Sequence, residues 1–343
     1  MRIFLRGPVA GLGALVALAC AGCSTTPDAA PDTAPGDTAQ SPAPRASSGG
    51  SSTMPYAPYV SATTAAATDG AGSPVAYNLA FAIAAGGACR AAWDGTTPVG
   101  DRDVAARIAA LKSKGTAVRV SFGGQAGKEL AATCHTPAQL AAAYGSVLDA
   151  AKSTEADFDI EGPALTDAAS VVRRAEAIAL LQKERGLKVT FTLPVMPTGL
   201  DGDGTALLKS AKKHGVNVST VNIMTMSYGS SFGGDMADYA VQAATATHDQ
   251  VQKALGLSPE AAWKSLALTS MIGVNDVKNE TFTLDDAARV REFAAQKGIG
   301  WLSMWTTSRD QKCPHGKNST AAQDSCSGVA QTPGAFAAAL SGH

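Results

Sequence analysis

Asp157-Phe158-Asp159-Ile160-Glu161-Gly162 is the run on which the reading of this chain turns. Carboxylates at i, i+2 and i+4 share one face of a β-strand, while Phe158 and Ile160 point to the other. Two large apolar side chains need a covering layer, and acids opposite them then face a second enclosed space, which is what the interior of a parallel barrel offers. Burying three acids is costly unless they share protons and hydrogen bonds. Their mutual repulsion raises at least one pKa, which keeps a carboxylic acid protonated near neutral pH and fit to act as a general acid. A solvated acidic strand edge is the competing reading, and Phe158 and Ile160 argue against it.

Working outward, short apolar or β-branched runs alternate with Ala-rich stretches of helical character, a pattern that predicts a parallel sheet covered on both faces. Eight runs read as strands: Tyr56–Val60, Tyr77–Ile83, Ala117–Phe122, Asp157–Glu161, Lys188–Leu193, Val218–Met226, Leu266–Ile272 and Gly300–Met304. The helical stretches are Asp101–Ser113, Pro137–Ala151, Asp167–Arg185, Gly204–His214, Asp235–Leu255 and Leu284–Lys297. No GxGxxG follows the first strand, so the α/β fold expected is a closed (β/α)8 TIM barrel forming a single catalytic domain over residues 54–343, with its chemistry at the carboxyl ends of the strands.

Here the sequence resembles the family 18 glycoside hydrolases, the chitinase family, whose fourth-strand motif is DxxDxDxE. Asp157, Asp159 and Glu161 match its last three acids, and Thr154 stands at the first. Ser121-Phe122-Gly123-Gly124 matches the family's SxGG. Met224-Thr225-Met226-Ser227-Tyr228 resembles the sixth-strand run MTMDYG, and Trp305 stands where the family keeps a tryptophan after the eighth strand. The resemblance implies hydrolysis of β-1,4-linked N-acetylglucosamine in chitin or its oligosaccharides by substrate-assisted, retaining catalysis. Glu161 would protonate the glycosidic oxygen, Asp159 would stabilise the oxazolinium ion formed by the substrate's acetamido group, and Asp157 would share a proton with Asp159. Tyr228, on the strand parity of Met224 and Met226, would hold the acetamido oxygen. Trp305 would floor the sugar ring, and Gly123 and Gly124 would admit it closely.

Each has a plainer alternative: barrel filling for Met224 and Met226, core for Trp305, a tight turn for Gly123 and Gly124. Asn275 and Asp276 read equally as substrate-binding or turn residues. Where many relatives carry Asp beside the sixth-strand tyrosine, this chain has Ser227, which implies an altered pH optimum or a lower rate. An endo-β-N-acetylglucosaminidase uses the same acid motif, and a surface sugar-binding protein without catalysis is the reading Ser227 favours; the retained Glu161 opposes the latter. With four tryptophans, Trp93, Trp263, Trp301 and Trp305, no long aromatic track is expected, so soluble chains should be preferred to crystalline chitin.

Residues 1–22 pass from Arg2 and Arg6 through an apolar stretch to small residues, as an export signal does. Cys20-Ala21-Gly22 before Cys23 resembles a bacterial lipobox, with Cys23 the lipidated residue, so the protein is expected outside the cell, lipid-anchored at the outer face of the membrane or secreted. Residues 23–53, rich in Pro, Ala, Ser, Thr and Gly, read as a disordered linker. In an oxidising compartment Cys89, Cys134, Cys313 and Cys326 have three possible pairings, of which Cys89–Cys134 with Cys313–Cys326 is favoured. The five histidines show no ligand spacing, so neither metal nor cofactor is expected. With 28 basic and 29 acidic residues the net charge is −1, which gives no field for nucleic acid; a monomer is expected.

Overall fold

Eight parallel strands alternate with helices in the computed structural model, which describes residues 53–314 and 320–343. The strands are β1 (Tyr59–Ser61), β2 (Ala76–Ala84), β3 (Ala117–Gly123), β4 (Glu155–Asp159), β5 (Lys188–Pro194), β6 (Val218–Met224), β7 (Leu266–Met271) and β8 (Trp301–Trp305). Each pairs with the next. The ring closes where Leu302 donates to Pro55 O and accepts from Ala57 N, both at 2.9 Å. This is the expected TIM barrel. The export signal, Cys23 and all but the last residue of the linker lie outside the described residues.

The principal helices are α1 (Arg102–Lys112), α2 (Pro137–Ala151), α3 (Ala168–Arg185), α4 (Gly202–Lys213), α5 (Met236–Leu255), α6 (Leu284–Lys297) and α7 (Ala335–Ser341). Their starts are written locally: Thr136, Asp167, Asp201 and Asp235 accept from backbone N–H groups of the first turn, and Thr283 forms a reciprocal capping box with Asp286. Two short antiparallel pairs were not anticipated. Ala91–Trp93 with Thr97–Pro98 extends the β2 edge, and Gly273–Val274 with Thr281–Phe282 forms a ribbon after β7.

The outward faces of adjacent strands make the barrel-to-helix core. Phe122, Phe158 and Phe191 are register partners on β3, β4 and β5, with ring centroids 5.4 and 5.8 Å apart, and Tyr144 of α2 packs on Phe122 and Phe158. Beside this core, buried Glu129 accepts from Arg174 at 2.7 Å, from Ala131 N at 2.8 Å and from the Tyr144 hydroxyl. Leaving either charge alone there would be strongly destabilising, so the trio ties the loop after β3 to α2 and α3. Both favoured disulfides, Cys89–Cys134 and Cys313–Cys326, are formed.

Two strand ends that bear on the site fall short of the expected bounds. β4 begins at Glu155 and stops at Asp159, so Glu161 stands on the loop beyond it, before the positive-φ Gly162 (φ 48°) turns the chain into a one-turn helix. β6 stops at Met224, and Ser227 takes a left-handed backbone (φ 54°).

Candidate active site

The inward positions of β4 carry the fourth-strand acids in a vertical series. Glu155, lowest, pairs with Arg119 and Lys188 at the amino end of the barrel. Asp157 is fully buried and accepts three hydroxyl hydrogen bonds: from Tyr59 at 2.8 Å, Ser121 at 2.5 Å and Thr192 at 2.6 Å. Asn222 Nδ2 donates to Thr192 Oγ1 at 2.9 Å, and Thr269 donates to Asn222 Oδ1 at 2.9 Å, so the network crosses from β5 to β7. Burial raises the Asp157 pKa, while the three hydroxyl donors and the Arg119 charge oppose that shift.

Asp159 lies one step nearer the mouth, 5% exposed, and hydrogen-bonds through its carboxyl to Glu161. Burial holds its pKa well above the usual range, and the charges of Glu161 and Asp157 add to the effect. Glu161 is also raised by burial, with the Asp159 hydrogen bond acting against the rise. Two carboxyl groups in this relation titrate as a coupled pair, sharing one proton between the first and second ionisations. The carboxyl hydrogen bond of Asp159 thus goes to Glu161, while the three hydroxyls occupy both oxygens of Asp157. Asp159 Oδ1 is buried without a protein partner.

Above this pair opens a cleft of about 870 Å³ lined by Asp159, Glu161, Met224, Met226, Asp276 and Trp305 among the sequence-selected residues. Trp305 stacks on Phe81 at 5.5 Å and 23° and meets Tyr59 edge-on at 5.7 Å, making a continuous aromatic wall. Phe81, Tyr59 and Thr192 were not singled out from the sequence. All three sit on strand segments, and a tyrosine or threonine on an inward face is the signal that would have marked the latter two.

Other selected residues serve the site from behind. Ser121 is turned to Asp157. A Cβ at Gly123 (φ 96°) would stand 2.1 Å from the Asp159 carbonyl oxygen, and one at Gly124 (φ 87°) 2.9 Å from the Phe81 ring, so these glycines admit the neighbouring strand and the aromatic wall. Asn275 spends Nδ2 on the carbonyls of Met271 and Gly273 and holds the turn after β7. Tyr228 is absent from the cleft lining: the left-handed Ser227 ends the strand alternation, so Ser227 lines the cleft while the Tyr228 ring packs on Phe232 and Tyr239. Burial, with the Glu280 charge, raises the Tyr228 pKa, and its hydroxyl is unpartnered. Glu280, also missed, accepts from Gly229 N at 2.9 Å and from the backbone of Ser227 and Tyr228, clamping this turn. Among the described residues no group of His, Cys, Asp and Glu is arranged to hold a metal ion, and no helix is long and apolar enough to cross a membrane.

No family model matches the chain. It is 33% identical over 288 residues to a probable bifunctional chitinase/lysozyme of Escherichia coli (strain K12), covering 77% of this chain and 31% of that protein. It is 33% identical over 221 residues to endochitinase 11 of Metarhizium anisopliae, covering 60% of this chain and 42% of that protein. The chain thus spans less than half of the length of either relative. Among solved structures, the catalytic domain of a hyperthermophilic chitinase from Pyrococcus furiosus superposes with a TM-score of 0.74 at 31% identity, over 84% of this chain and 95% of that one. The GH18 chitinase of Pseudoalteromonas aurantia, at 15% identity and a TM-score of 0.54, shares the fold. Carrying the Asp157-Asp159-Glu161 series at the mouth of its barrel and matching nearly the whole Pyrococcus domain, this chain belongs to the family 18 glycoside hydrolases, the chitinase family.

Proposed function

We propose that this protein hydrolyses β-1,4-linked N-acetylglucosamine chains by substrate-assisted catalysis with retention. The observation that carries the proposal is the hydrogen-bonded pair of buried Asp159 and half-buried Glu161 at the floor of a cleft walled by Trp305 and Phe81. A pyranose presents an apolar CH face suited to that aromatic wall. With substrate bound, the proton held by Asp159 passes along their hydrogen bond to Glu161, leaving Asp159 ionised, and Glu161 protonates the glycosidic oxygen as the bond to the anomeric carbon breaks. The substrate's acetamido oxygen forms the new bond to that carbon, giving an oxazolinium ion whose N–H points to ionised Asp159. The unpartnered Oδ1 supplies an acceptor there. Water then opens the ion, giving its proton back to Glu161, so configuration is kept. The relatives support the substrate: crystal structures of catalytic-site mutants of active domain 2 of the Pyrococcus furiosus chitinase contain chito-oligosaccharides.

The test follows N-acetylglucosamine oligomers and the anomer of the product by NMR, with the full chain and Glu161→Gln. Release of β-anomer by the parent, lowered about 10²- to 10⁴-fold in kcat by the substitution, is expected. Binding without turnover in the parent would replace this reading with that of a sugar-binding protein. The short aromatic wall supports a preference for soluble chains, and equal rates on crystalline chitin would contradict it. We further propose export, with Cys23 as a lipid anchor, on the strength of the basic and apolar leader and the small residues before that cysteine.

A further inference from the structure

The two sides of the cleft differ in kind. Against the aromatic and methionine wall stand Asp201, Asp276 and Asp324, all exposed, with Asp159 and Glu161 below them. Among the described residues that line the cleft there are thus five carboxylates and no Lys, Arg or His, on a chain whose net charge is only −1. Asp201 uses Oδ1 to cap α4 through Gly204 N at 2.7 Å, leaving Oδ2 to the cleft. Behind Asp276 and Asp324 lies Arg309, whose charge reaches both, yet its guanidinium is buried and donates to the carbonyls of Ile272, Val274 and Gln323. The cation offsets part of the field and faces away from a ligand. On the floor, Asp159 Oδ1 is buried and unpartnered, so the same cleft holds an acceptor built for a donor that the protein does not supply.

A neutral polymer draws little from a rim of this sign, whereas a cleft of one charge concentrates cationic ligands. Resting on the hydrolase reading above, we propose that the cleft prefers partially deacetylated chains, mixed polymers of N-acetylglucosamine and glucosamine. An acetylated unit sits over Asp159 and Glu161, and the ammonium groups of flanking units sit against Asp201, Asp276 and Asp324.

Carboxylates also accept hydrogen bonds from sugar hydroxyls, so the test must separate charge from hydrogen bonding. Asp→Asn keeps an acceptor oxygen and removes the charge. For the full chain, kcat/KM is measured on a fully acetylated oligomer and on a partially deacetylated oligomer of the same length, at about 20 mM and about 500 mM salt. Binding of the same two oligomers is followed by calorimetry. In the parent the charged-to-neutral ratio is expected to exceed one at low salt and to fall severalfold at high salt. In Asp201→Asn/Asp276→Asn/Asp324→Asn the low-salt ratio is expected to drop about fivefold and to lose its salt dependence, the size that several exposed ion pairs supply. A ratio that neither salt nor the substitutions change overturns the proposal. Should the triple variant fail to fold, Asp201→Asn/Asp324→Asn and the parent's own salt dependence decide the matter. A parent that hydrolyses neither oligomer refutes the hydrolase reading alone, since the dissociation constants still report the charge preference.

Discussion

Asp159 shows at the scale of one residue how a site is kept at the expense of the fold. Its carboxyl is buried beside two other acids, and its pKa stands well above the value it has in the unfolded chain. Below the unfolded value both states hold the proton and the group adds nothing. As pH rises past it, the unfolded chain ionises while the native one does not, so stability is lost until the folded pKa is passed. Asp159→Asn removes that loss. The variant is expected to be more stable than the parent in urea at neutral pH, with the difference shrinking to nothing below the ordinary aspartate range, and to lose hydrolysis. Equal stability of the two proteins at every pH would show that the buried carboxylate costs the fold nothing. Asp157 is treated differently by its surroundings: three hydroxyl donors satisfy the charged form, which suits a fixed anion beneath the reacting pair.

At the scale of elements, β4 joins the site to the core, because alternate residues of one strand serve each. Phe158 points outward from between Asp157 and Asp159 into the Phe122, Tyr144 and Phe191 cluster. Phe158→Ala is expected to cost about 3–5 kcal/mol in urea unfolding and to lower kcat by loosening the two acids. A loss below about 1 kcal/mol would mean that the cluster collapses to fill the space. The turn after β6 is the complementary case. Ser227 in a left-handed conformation reverses the alternation that Met224 and Met226 establish, and the Glu280 carboxylate holds that turn from the ribbon after β7. A period-two reading of the sequence carries Tyr228 into the cleft, because a change of backbone sign at one residue leaves no mark in composition.

The whole barrel is tied at its mouth by covalent links across long loops. Cys89–Cys134 joins the segments after β2 and β3 across 45 residues, on the flank that carries Glu129 and the glycines of the third strand. Replacing both cysteines by serine is expected to lower unfolding free energy by about 2–4 kcal/mol, the loop-closure entropy of such a link. Unchanged stability under reducing and oxidising conditions would assign the restraint to the Glu129–Arg174 pair instead. Cys313–Cys326 brackets the segment that presents Asp324 to the cleft, so that wall too is held by a cross-link.

The periodic part of the molecule is legible along the chain. The alternation of strands and helices and the parity of the three acids depend on residues near one another in the chain, and they predicted the barrel with Asp159 and Glu161 at its mouth; the family resemblance added Trp305 beside them. Which partner each group takes is a matter of three-dimensional packing. Tyr59, Ser121 and Thr192 converge on Asp157 from three strands, with separations of 98, 36 and 35 residues. Asp201, Asp276 and Asp324 reach one rim from three loops, and Phe81 meets Trp305 only because the ring of strands closes. Such pairings depend on register and curvature summed around the barrel, quantities that no local window of sequence contains.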